Sequence, residues 1–213
     1  MANLPNGILG AFIGKAGNIT GYVRNGKNFI RTRSNRKNVK PTAARLAQRE
    51  KIKVCGGFTS AFSGTGFFKK SFPAYGDSGT GYNRATSALM NLAVTGSYPQ
   101  VSLAYPLVLI SKGPLPVAEN ATATVNADGN ILFSWADNSG TGTAKANDKA
   151  IVVAYFPGMK QIIYSLNAGT RADGQCVLPA ANMQGYAAET WIGFLSHDET
   201  DASNSVYGGT LVL

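Results

Sequence analysis

The sequence predicts a mainly β protein with a few helices, in which a basic α+β module precedes an immunoglobulin-like or fibronectin-III-like β-sandwich. Three observations support this fold class. The 213 residues include 25 glycines and 9 prolines, which mark many turns. From residue 121 onward, short apolar runs recur at spacings of roughly 8–20 residues, as in all-β domains. Hydrophobic residues make up 44% of the chain and charged residues only 15%, so an ordinary core can form.

The first 32 residues predict a glycine-kinked strand followed by a β-hairpin. Five glycines lie between Gly7 and Gly21, and each would cost a helix about 1 kcal/mol relative to Ala. Asn25 and Gly26 lie between two apolar runs, which is the typical signal of a two-residue hairpin turn. We therefore expect strands over residues 19–23 and 27–32.

Two helices are predicted next. The first covers about residues 43–54 and begins after Thr42, a good N-cap residue. The second covers residues 82–93, where apolar residues follow helical spacing, and it is expected to end at Gly96. The segment between them, residues 56–81, is rich in Gly, Ser and Phe and predicts a docked loop or an irregular strand. A buried strand over residues 101–110 leads to a boundary at residues 112–120, which contains two prolines.

Beyond this boundary, seven short strands are predicted, which is the number in an immunoglobulin-like sandwich. Trp135 and the strand from Trp191 to Phe194 are expected to fill the space between the two sheets. The predicted strands cover residues 122–125, 131–135, 150–156, 161–166, 175–178, 190–195 and 206–212. The predicted domains are therefore a basic glycine-rich α+β module over 1–112 and a fibronectin-III-like sandwich over 113–213.

Charge is distributed unevenly along the chain. Residues 1–100 contain 15 basic and 2 acidic residues, a net charge of +13, whereas residues 101–213 contain 5 basic and 9 acidic residues, a net charge of −4. Such asymmetry suggests two modules with different partners. The alternative is that the two halves simply neutralise each other, within one molecule or between neighbours.

A basic run of 23 residues is the strongest candidate binding site. It contains nine cations and, as its only acidic residue, Glu50. The nine cations are Arg31, Arg33, Arg36, Lys37, Lys40, Arg45, Arg49, Lys51 and Lys53. Arginine and lysine side chains bind phosphates, and the nearby Tyr22 and Phe29 could stack on bases or pack in a core. The run predicts contact with a nucleic acid or other polyanion, or with another subunit, and a solvated basic arm is the simplest alternative.

Other candidate sites are weaker. Residues 10–17 differ from a phosphate-binding loop, because Leu9 and Ala16 occupy the positions of the required Gly and hydroxyl residue. The only histidine, His197, lies in the polar segment 196–201, where three carboxylates could bind a cation. A solvated loop between strands explains this segment equally simply. We therefore predict no catalytic residues, no metal and no cofactor.

Signals of cellular location are sparse. Cys55 and Cys176 fall in different predicted modules, so we expect two unpaired thiols in a reducing compartment, and a long-range disulfide is the alternative. No apolar run approaches the roughly 18 residues of a membrane span. The N-terminus lacks the charged region of a classical signal peptide. The location stays unknown, with the cytoplasm or an assembled particle or fibre as the expectation.

Three stretches carry a family resemblance: GILGAFIGKAGNITGYVRNGKNFIRTR, KPTAARLAQREK and WADNSGTGTAKANDKAIVVAYFPGMKQIIYS. They resemble an uncharacterised family of domains of unknown function common in Bacteroidota. Its members read G-x-F-x-G-K-x-G-x-x-x-G-Y-x-x-x-G-K-x-x-x-R and then T-x-x-Q-L-A-Q-R. The resemblance implies no activity and no catalytic or binding residues. The family often has Trp where Arg24 or its neighbour stands, so no aromatic role is carried over to that position.

These observations favour a non-enzymatic structural protein that assembles into homo-oligomers, for example a phage-derived or other self-assembling particle or fibre. Its basic module would contact other subunits or a polyanion. The alternative is a cytoplasmic nucleic-acid-binding protein, and a surface adhesion or glycan-binding module is a third hypothesis. Salt dependence separates the first two, because six or more phosphate contacts predict a log–log slope of binding against salt of about −5.

Overall fold

A four-stranded antiparallel sheet forms the first of two compact units, which spans Met1–Thr42. The computed structural model describes residues 2–5, 10–24, 26–32, 40–76 and 79–213. Neighbours along the chain are neighbours in the sheet, in the order β1 (Ala2–Asn3), β2 (Ile13–Ala16), β3 (Ile19–Arg24) and β4 (Lys27–Thr32). The last two confirm the predicted hairpin strands. Gly7, the turn residue Asn25 and the cations Arg33, Arg36 and Lys37 lie outside the described residues.

One glycine of this sheet is required by a close approach. Gly21 on β3 lies against Phe12, which precedes β2. A Cβ atom at Gly21 would collide with the carbonyl oxygen of Phe12 and would approach its ring carbons to 2.9 Å. Such a contact within a strand is a common reason for a strand glycine. Gly21 therefore allows Phe12 to lie directly on the backbone of the sheet.

The second unit, Ala43–Leu213, begins with three helices. They are α1 (Ala43–Ser60), α2 (Phe67–Ser71) and α3 (Gly81–Leu92). α1 is longer than predicted, because it continues through Gly56 and Gly57 to bury Phe58 and Thr59. Burial of this end outweighs the helix cost of about 1 kcal/mol for each glycine. α3 begins after Thr80, whose hydroxyl oxygen accepts a hydrogen bond from the backbone N–H of Asn83 at 3.3 Å.

A short hairpin replaces the long strand predicted after the second helix. Its strands are β5 (Val94–Ser97) and β6 (Gln100–Leu103), and a 3-10 turn, Tyr105–Leu107, follows. Gly96 lies within β5, with φ +80°, rather than at the end of α3. The predicted strand over 101–110 is therefore correct only at its start, and Pro106 falls inside the turn that ends it.

Seven further strands confirm the seven that the sequence predicts. They are β7 (Glu119–Val125), β8 (Ile131–Ala136), β9 (Lys149–Phe156), β10 (Gln161–Ser165), β11 (Gln175–Leu178), β12 (Ala187–Leu195) and β13 (Val206–Val212). They form a three-stranded sheet, β11-β8-β7, and a four-stranded sheet, β10-β9-β12-β13, in which all pairs are antiparallel. The chain is thus mostly β, with a sandwich-like α+β fold. The narrower fibronectin-III-like classification stays a prediction.

The four-stranded sheet is the middle layer of the second unit. Its inner face packs on the three-stranded sheet, and Val152 and Ile192 share one hydrophobic core with Phe133. Its other face is covered by the helices, where the ring of Phe58 lies 4.9 Å from that of Tyr155 and 5.9 Å from that of Trp191. β9 and β12 are consequently buried on both faces.

This layering corrects one core prediction. Trp135 and Phe194 lie between the two sheets, as predicted, with ring centroids 5.7 Å apart. Trp191, however, points to the opposite face and packs against the helices. Because side chains alternate along a strand, Trp191 and Phe194 cannot both face the same layer.

The compact units divide between Thr42 and Ala43. The predicted domain boundary between residues 112 and 113 stays a prediction. Within the second unit, the helices bury their aromatic side chains on β9 and β12. Phe58, Phe62, Phe67 and Phe68 form one cluster with Trp191 and other residues of the four-stranded sheet.

A fully buried guanidinium connects the loops of the sandwich. Arg171 donates from Nε to Asp148 Oδ2 at 3.1 Å, from Nη1 to Asn138 Oδ1 at 2.6 Å and from Nη2 to the carbonyl of Pro116 at 3.2 Å. Its central carbon lies 3.8 Å from the ring centre of Phe194. Burial lowers the pKa of Arg171, and the charge of Asp148 opposes that shift. The guanidinium is thus held by three hydrogen-bond acceptors and a ring face.

The two cysteines are free thiols and lie in different cores of the second unit. Burial raises the pKa of Cys55, and it raises the pKa of Cys176 to about 12, with a smaller contribution from Asp173. Neither thiol is therefore ionised near neutral pH, which makes both weak nucleophiles. Among the residues that the structure describes, no helix is long and apolar enough to cross a membrane.

Candidate functional site

The nine cations predicted to bind a polyanion or a partner are divided between the two units. Arg31 lies on β4, and Lys40 lies near the end of the first unit. α1 of the second unit carries Arg45, Arg49, Lys51 and Lys53. Arg33, Arg36 and Lys37 lie outside the described residues. The described cations therefore belong to two separate surfaces, one in each unit.

On the β3–β4 hairpin, aromatic and basic side chains share one face of the sheet. Tyr22 is paired with Phe29, and Thr20 with Arg31. Residues directly opposite each other on neighbouring strands project to the same side. The rings of Tyr22 and Phe29 are stacked, with centroids 5.6 Å apart and planes at 20°. The guanidinium carbon of Arg31 lies 5.7 Å from the ring centre of Tyr22, within cation–π range.

Three more cations extend this face. Arg24 and Lys27 are paired at the end of the hairpin, two positions from the aromatic pair, so they project to the same side. On β2, Lys15 is paired with Thr20 of β3, and Thr20 is in turn paired with Arg31 of β4. The side chains of these three residues therefore project to the same face. We call these six residues the basic–aromatic face: Lys15, Tyr22, Arg24, Lys27, Phe29 and Arg31.

The basic–aromatic face is exposed and carries an uncompensated positive charge within its unit. Tyr22 is 38% exposed and Phe29 is 42% exposed, which is high for aromatic side chains. Residues 1–42 contain eight basic residues and no acidic residue. No carboxylate side chain of this unit can therefore neutralise the face. Such a surface attracts anions from a distance, and its rings offer a stacking platform for bases.

The other face of the same hairpin combines exposed apolar side chains with the polar Asn28 and Thr32. Val23 is 46% exposed and Ile30 is 66% exposed. Ile30 is paired with Gly21, the residue on which Phe12 lies. β4 is an edge of the sheet, so one side of its backbone has no strand neighbour among the described residues. The unit thus presents one basic face, one face with exposed Val23 and Ile30, and an edge strand.

On α1, the predicted cations form a separate basic stripe. Arg45, Arg49 and Lys53 are exposed and lie four residues apart, which confirms the predicted helical spacing. Lys53 Nζ lies 3.2 Å from Glu50 Oε1, an exposed pair of a kind that contributes about 0–1 kcal/mol. The opposite side of the helix is buried through Cys55 and Phe58. The basic stripe therefore lies on a helix whose other side packs into the hydrophobic core of the second unit.

The polar segment 196–201 forms the turn between β12 and β13. Ser196 Oγ accepts hydrogen bonds from the backbone N–H groups of Thr200 at 3.1 Å and Asp201 at 2.9 Å. Glu199 forms ion pairs with two lysines, Lys70 at 2.6 Å and Lys149 at 2.9 Å, and these bonds lower its pKa. Its carboxylate therefore joins α2 to β9. Among the described residues, no three His, Cys, Asp or Glu side chains are grouped as metal ligands.

Comparison with known families identifies the chain. Residues 11–209 match the Family of unknown function (DUF6266). The chain belongs to this family. The match confirms the resemblance to a family of unknown function, and no curated protein matches the sequence. Because the DUF6266 match begins at residue 11 and continues into β13, it includes the whole basic–aromatic face and nearly all of the second unit.

Sequence reasoning missed half of the basic–aromatic face. It singled out Arg31, Tyr22 and Phe29 but did not connect them with Lys15, Arg24 and Lys27. The signal was present in the DUF6266 sequence, because a two-residue turn at positions 25–26 pairs residue 24 with 27 and 22 with 29. Counting outward from the turn identifies the side chains that share a face.

Proposed function

We propose that this DUF6266 protein is a non-enzymatic binding protein that holds single-stranded nucleic acid on its basic–aromatic face. The observation that supports the proposal is the stacked pair Tyr22–Phe29, exposed among four cations in a unit without a carboxylate side chain. Cations on both sides of an aromatic platform suit a ligand with alternating phosphates and bases. This proposal takes the alternative function predicted from the sequence and assigns it to a surface.

Phosphate contact accounts for the cations of this face. Arg24, Lys27 and Arg31 lie on the last two strands of the sheet and Lys15 lies on β2. Arginine forms paired hydrogen bonds with phosphate oxygens, and lysine adds a mobile point charge. Neutralising phosphates releases bound counterions, so the affinity would fall with added salt.

Base stacking accounts for the exposed rings and favours a single strand. Proteins that bind single strands combine a basic surface with aromatic side chains on which successive bases stack. In a duplex the base faces are covered by neighbouring base pairs, so Tyr22 and Phe29 could not stack on them without unpairing. An open sheet face with two parallel rings is suited to two neighbouring unpaired bases.

We predict that the protein binds a fluorescein-labelled 15-nucleotide oligo(dT), as measured by fluorescence anisotropy. Four phosphate contacts predict a slope of log affinity against log salt of about −3 for a single strand. The double substitution Tyr22→Leu with Phe29→Leu is expected to weaken binding by about 30-fold, because each stacked base contributes about 1 kcal/mol or more. Leu keeps both positions apolar, so the sheet should be retained.

Matched controls isolate the contribution of the hairpin. Tyr186→Leu removes an aromatic side chain that is 46% exposed in the second unit, and it should leave the affinity unchanged. A duplex of the same length should bind more weakly than the single strand. Equal affinity of the double variant and the parent protein, or binding that does not respond to salt, would contradict the proposal.

A second candidate function is the self-assembly into homo-oligomers that the sequence favoured first. The observation behind it is β4, an edge strand whose Ile30 is 66% exposed. Exposed edge strands can pair with a strand of another copy and extend a sheet. In this proposal a fibronectin-III-like second unit would be the rigid body of a particle or fibre. In this hypothesis the particle would be phage-derived, and the protein would originate from Bacteroidota.

Assembly predicts a mass in solution above 22.3 kDa that rises with protein concentration. Light scattering at several concentrations and salt levels measures it. Ile30→Lys places a charge on the edge strand and should return the protein to a monomer. Val212→Lys, on the edge strand β13 where Val212 is 71% exposed, is the matched control and should not. A monomer under every condition would exclude this function.

A further inference from the structure

A cleft of about 770 Å³ opens beside α3 in the second unit and uses no residue of the basic–aromatic face. Its walls come from the segment after α2, from α3, from residues 112–114 and from Asn204, which lies just before β13. Volumes of roughly 300–1,000 Å³ are typical of sites for small molecules. Size and concave shape therefore make the cleft a candidate ligand site.

Part of the cleft lining is apolar and accessible. Phe72 is buried, whereas Leu92 is 49% exposed and Tyr75 is 50% exposed. Pro73 and Pro114 add further apolar surface. Large apolar side chains that are exposed together in a concavity suit the hydrocarbon or aromatic part of a ligand.

Tyr75 combines an unusual backbone conformation with a hydrogen-bonded hydroxyl group. Its φ of +41° lies in the left-handed region, which is costly for a residue with a side chain. Its hydroxyl oxygen accepts a hydrogen bond from the backbone N–H of Ala202 at 3.0 Å. The ring is thus fixed as part of the wall.

Two side chains of the lining, Arg84 and Lys112, carry positive charge. Arg84 donates from Nε and Nη2 to the carbonyl of Phe72, at 3.1 and 2.6 Å, and from Nη1 to the carbonyl of Gly79 at 2.9 Å. These bonds fix the guanidinium and leave one N–H on each Nη for another acceptor. Lys112 is exposed at the cleft. Within the described part of the chain, neither cation forms an ion pair with a carboxylate.

Neutral polar groups complete the site. Ser87 and Asn91 of α3 line the cleft beside Arg84. Asn204 accepts a hydrogen bond through Oδ1 from the backbone N–H of Gly113 at 3.3 Å, which leaves its NH₂ group available as a donor. Arg84, Lys112 and the NH₂ group of Asn204 offer donors to an anion, whereas Ser87 and Asn91 can donate or accept. Burial and, to a smaller extent, the nearby carboxylate of Asp201 raise the pKa of Tyr75.

We propose that this cleft binds a small organic anion, namely a carboxylate attached to an aromatic or aliphatic body. Lys112 and Arg84 hold the carboxylate by charge-assisted hydrogen bonds. Tyr75 and Leu92 contact the apolar body. This site extends beyond nucleic-acid binding and does not depend on it.

The test uses 2-naphthoate and its uncharged analogue 2-naphthamide, titrated into the ¹⁵N-labelled full chain and followed by NMR chemical shifts. We expect saturable shifts at α3 and residues 112–114, with the carboxylate bound about tenfold more tightly than the amide. Lys112→Gln should weaken 2-naphthoate binding about fivefold or more. Lys160→Gln, the same substitution at an exposed lysine of the β9–β10 turn, should leave it unchanged.

Three results would overturn this proposal. They are the absence of saturable 2-naphthoate binding, equal affinity for the carboxylate and the amide, and an unchanged affinity in Lys112→Gln. Oligonucleotide binding provides the independent readout, because Lys112→Gln should not alter it. A failure of the cleft and a failure of the basic–aromatic face can therefore be distinguished.

Discussion

Arg171→Met is expected to lower the free energy of unfolding of the second unit by about 3–5 kcal/mol, the usual cost of removing one partner of a buried ion pair. The methionine can fill part of the space of the arginine stem above Phe194. It cannot donate to the acceptors on Asp148, Asn138 and Pro116. Asp148 would stay fully buried, with one carboxylate oxygen already lacking a hydrogen-bond partner in the described structure.

Urea denaturation followed by tryptophan fluorescence measures this loss, because Trp135 and Trp191 are the only tryptophans and both lie in the second unit. Lys160→Met, at an exposed lysine, is the control and should change the stability little. Adding Asp148→Asn to Arg171→Met removes the unpaired charge. The double variant should therefore lose less stability than the two single variants added together. A loss below about 1 kcal/mol in Arg171→Met would contradict this role of the guanidinium.

A fragment of residues 113–213, which is the sandwich predicted from the sequence, is expected not to fold by itself. Removing the helices would expose Ile151, Val153, Tyr155, Trp191 and Leu195, all buried in the intact unit. Each large apolar side chain contributes roughly 1.5–3 kcal/mol through burial, or roughly 8–15 kcal/mol for the five. This equals the whole stability of a typical domain, about 5–15 kcal/mol.

Comparison of fragments 113–213 and 41–213 by NMR and thermal unfolding tests this expectation. The longer fragment retains the helices together with Pro41 and Thr42, and it should give dispersed spectra and a cooperative transition. The shorter one should aggregate or give the spectrum of an unfolded chain. A folded, cooperative 113–213 fragment would instead support the boundary predicted between residues 112 and 113.

Local patterns were sufficient to predict the strands of the sandwich, but not the layer that covers it. Alternation of Ile131, Phe133 and Trp135 indicated a strand with one buried face, which β8 has. β9 differs, because every residue from Ala150 to Phe156 is buried. Such continuous apolar runs are typical of strands covered on both faces. This run was the available signal that another layer, here the helices, packs outside the sandwich.

The candidate site was predictable only as far as its residues are close in sequence. The hairpin turn at Gly26 fixes which side chains of β3 and β4 share a face, so Tyr22, Phe29 and Arg31 could be placed together in advance. The cleft beside α3 could not be foreseen, because Tyr75, Lys112 and Asn204 are brought together by tertiary packing. No spacing rule connects residues so far apart along the chain.

The order of the layers has a consequence for synthesis on the ribosome. α1 leaves the ribosome before β9 and β12, yet Phe58 packs on Tyr155 and Trp191 of those strands. Until they emerge, the phenylalanines of the helical segment have no strand partner to cover them. Contacts between residues so distant in sequence also slow folding. The nascent chain should therefore expose a phenylalanine-rich surface of the kind that chaperones bind.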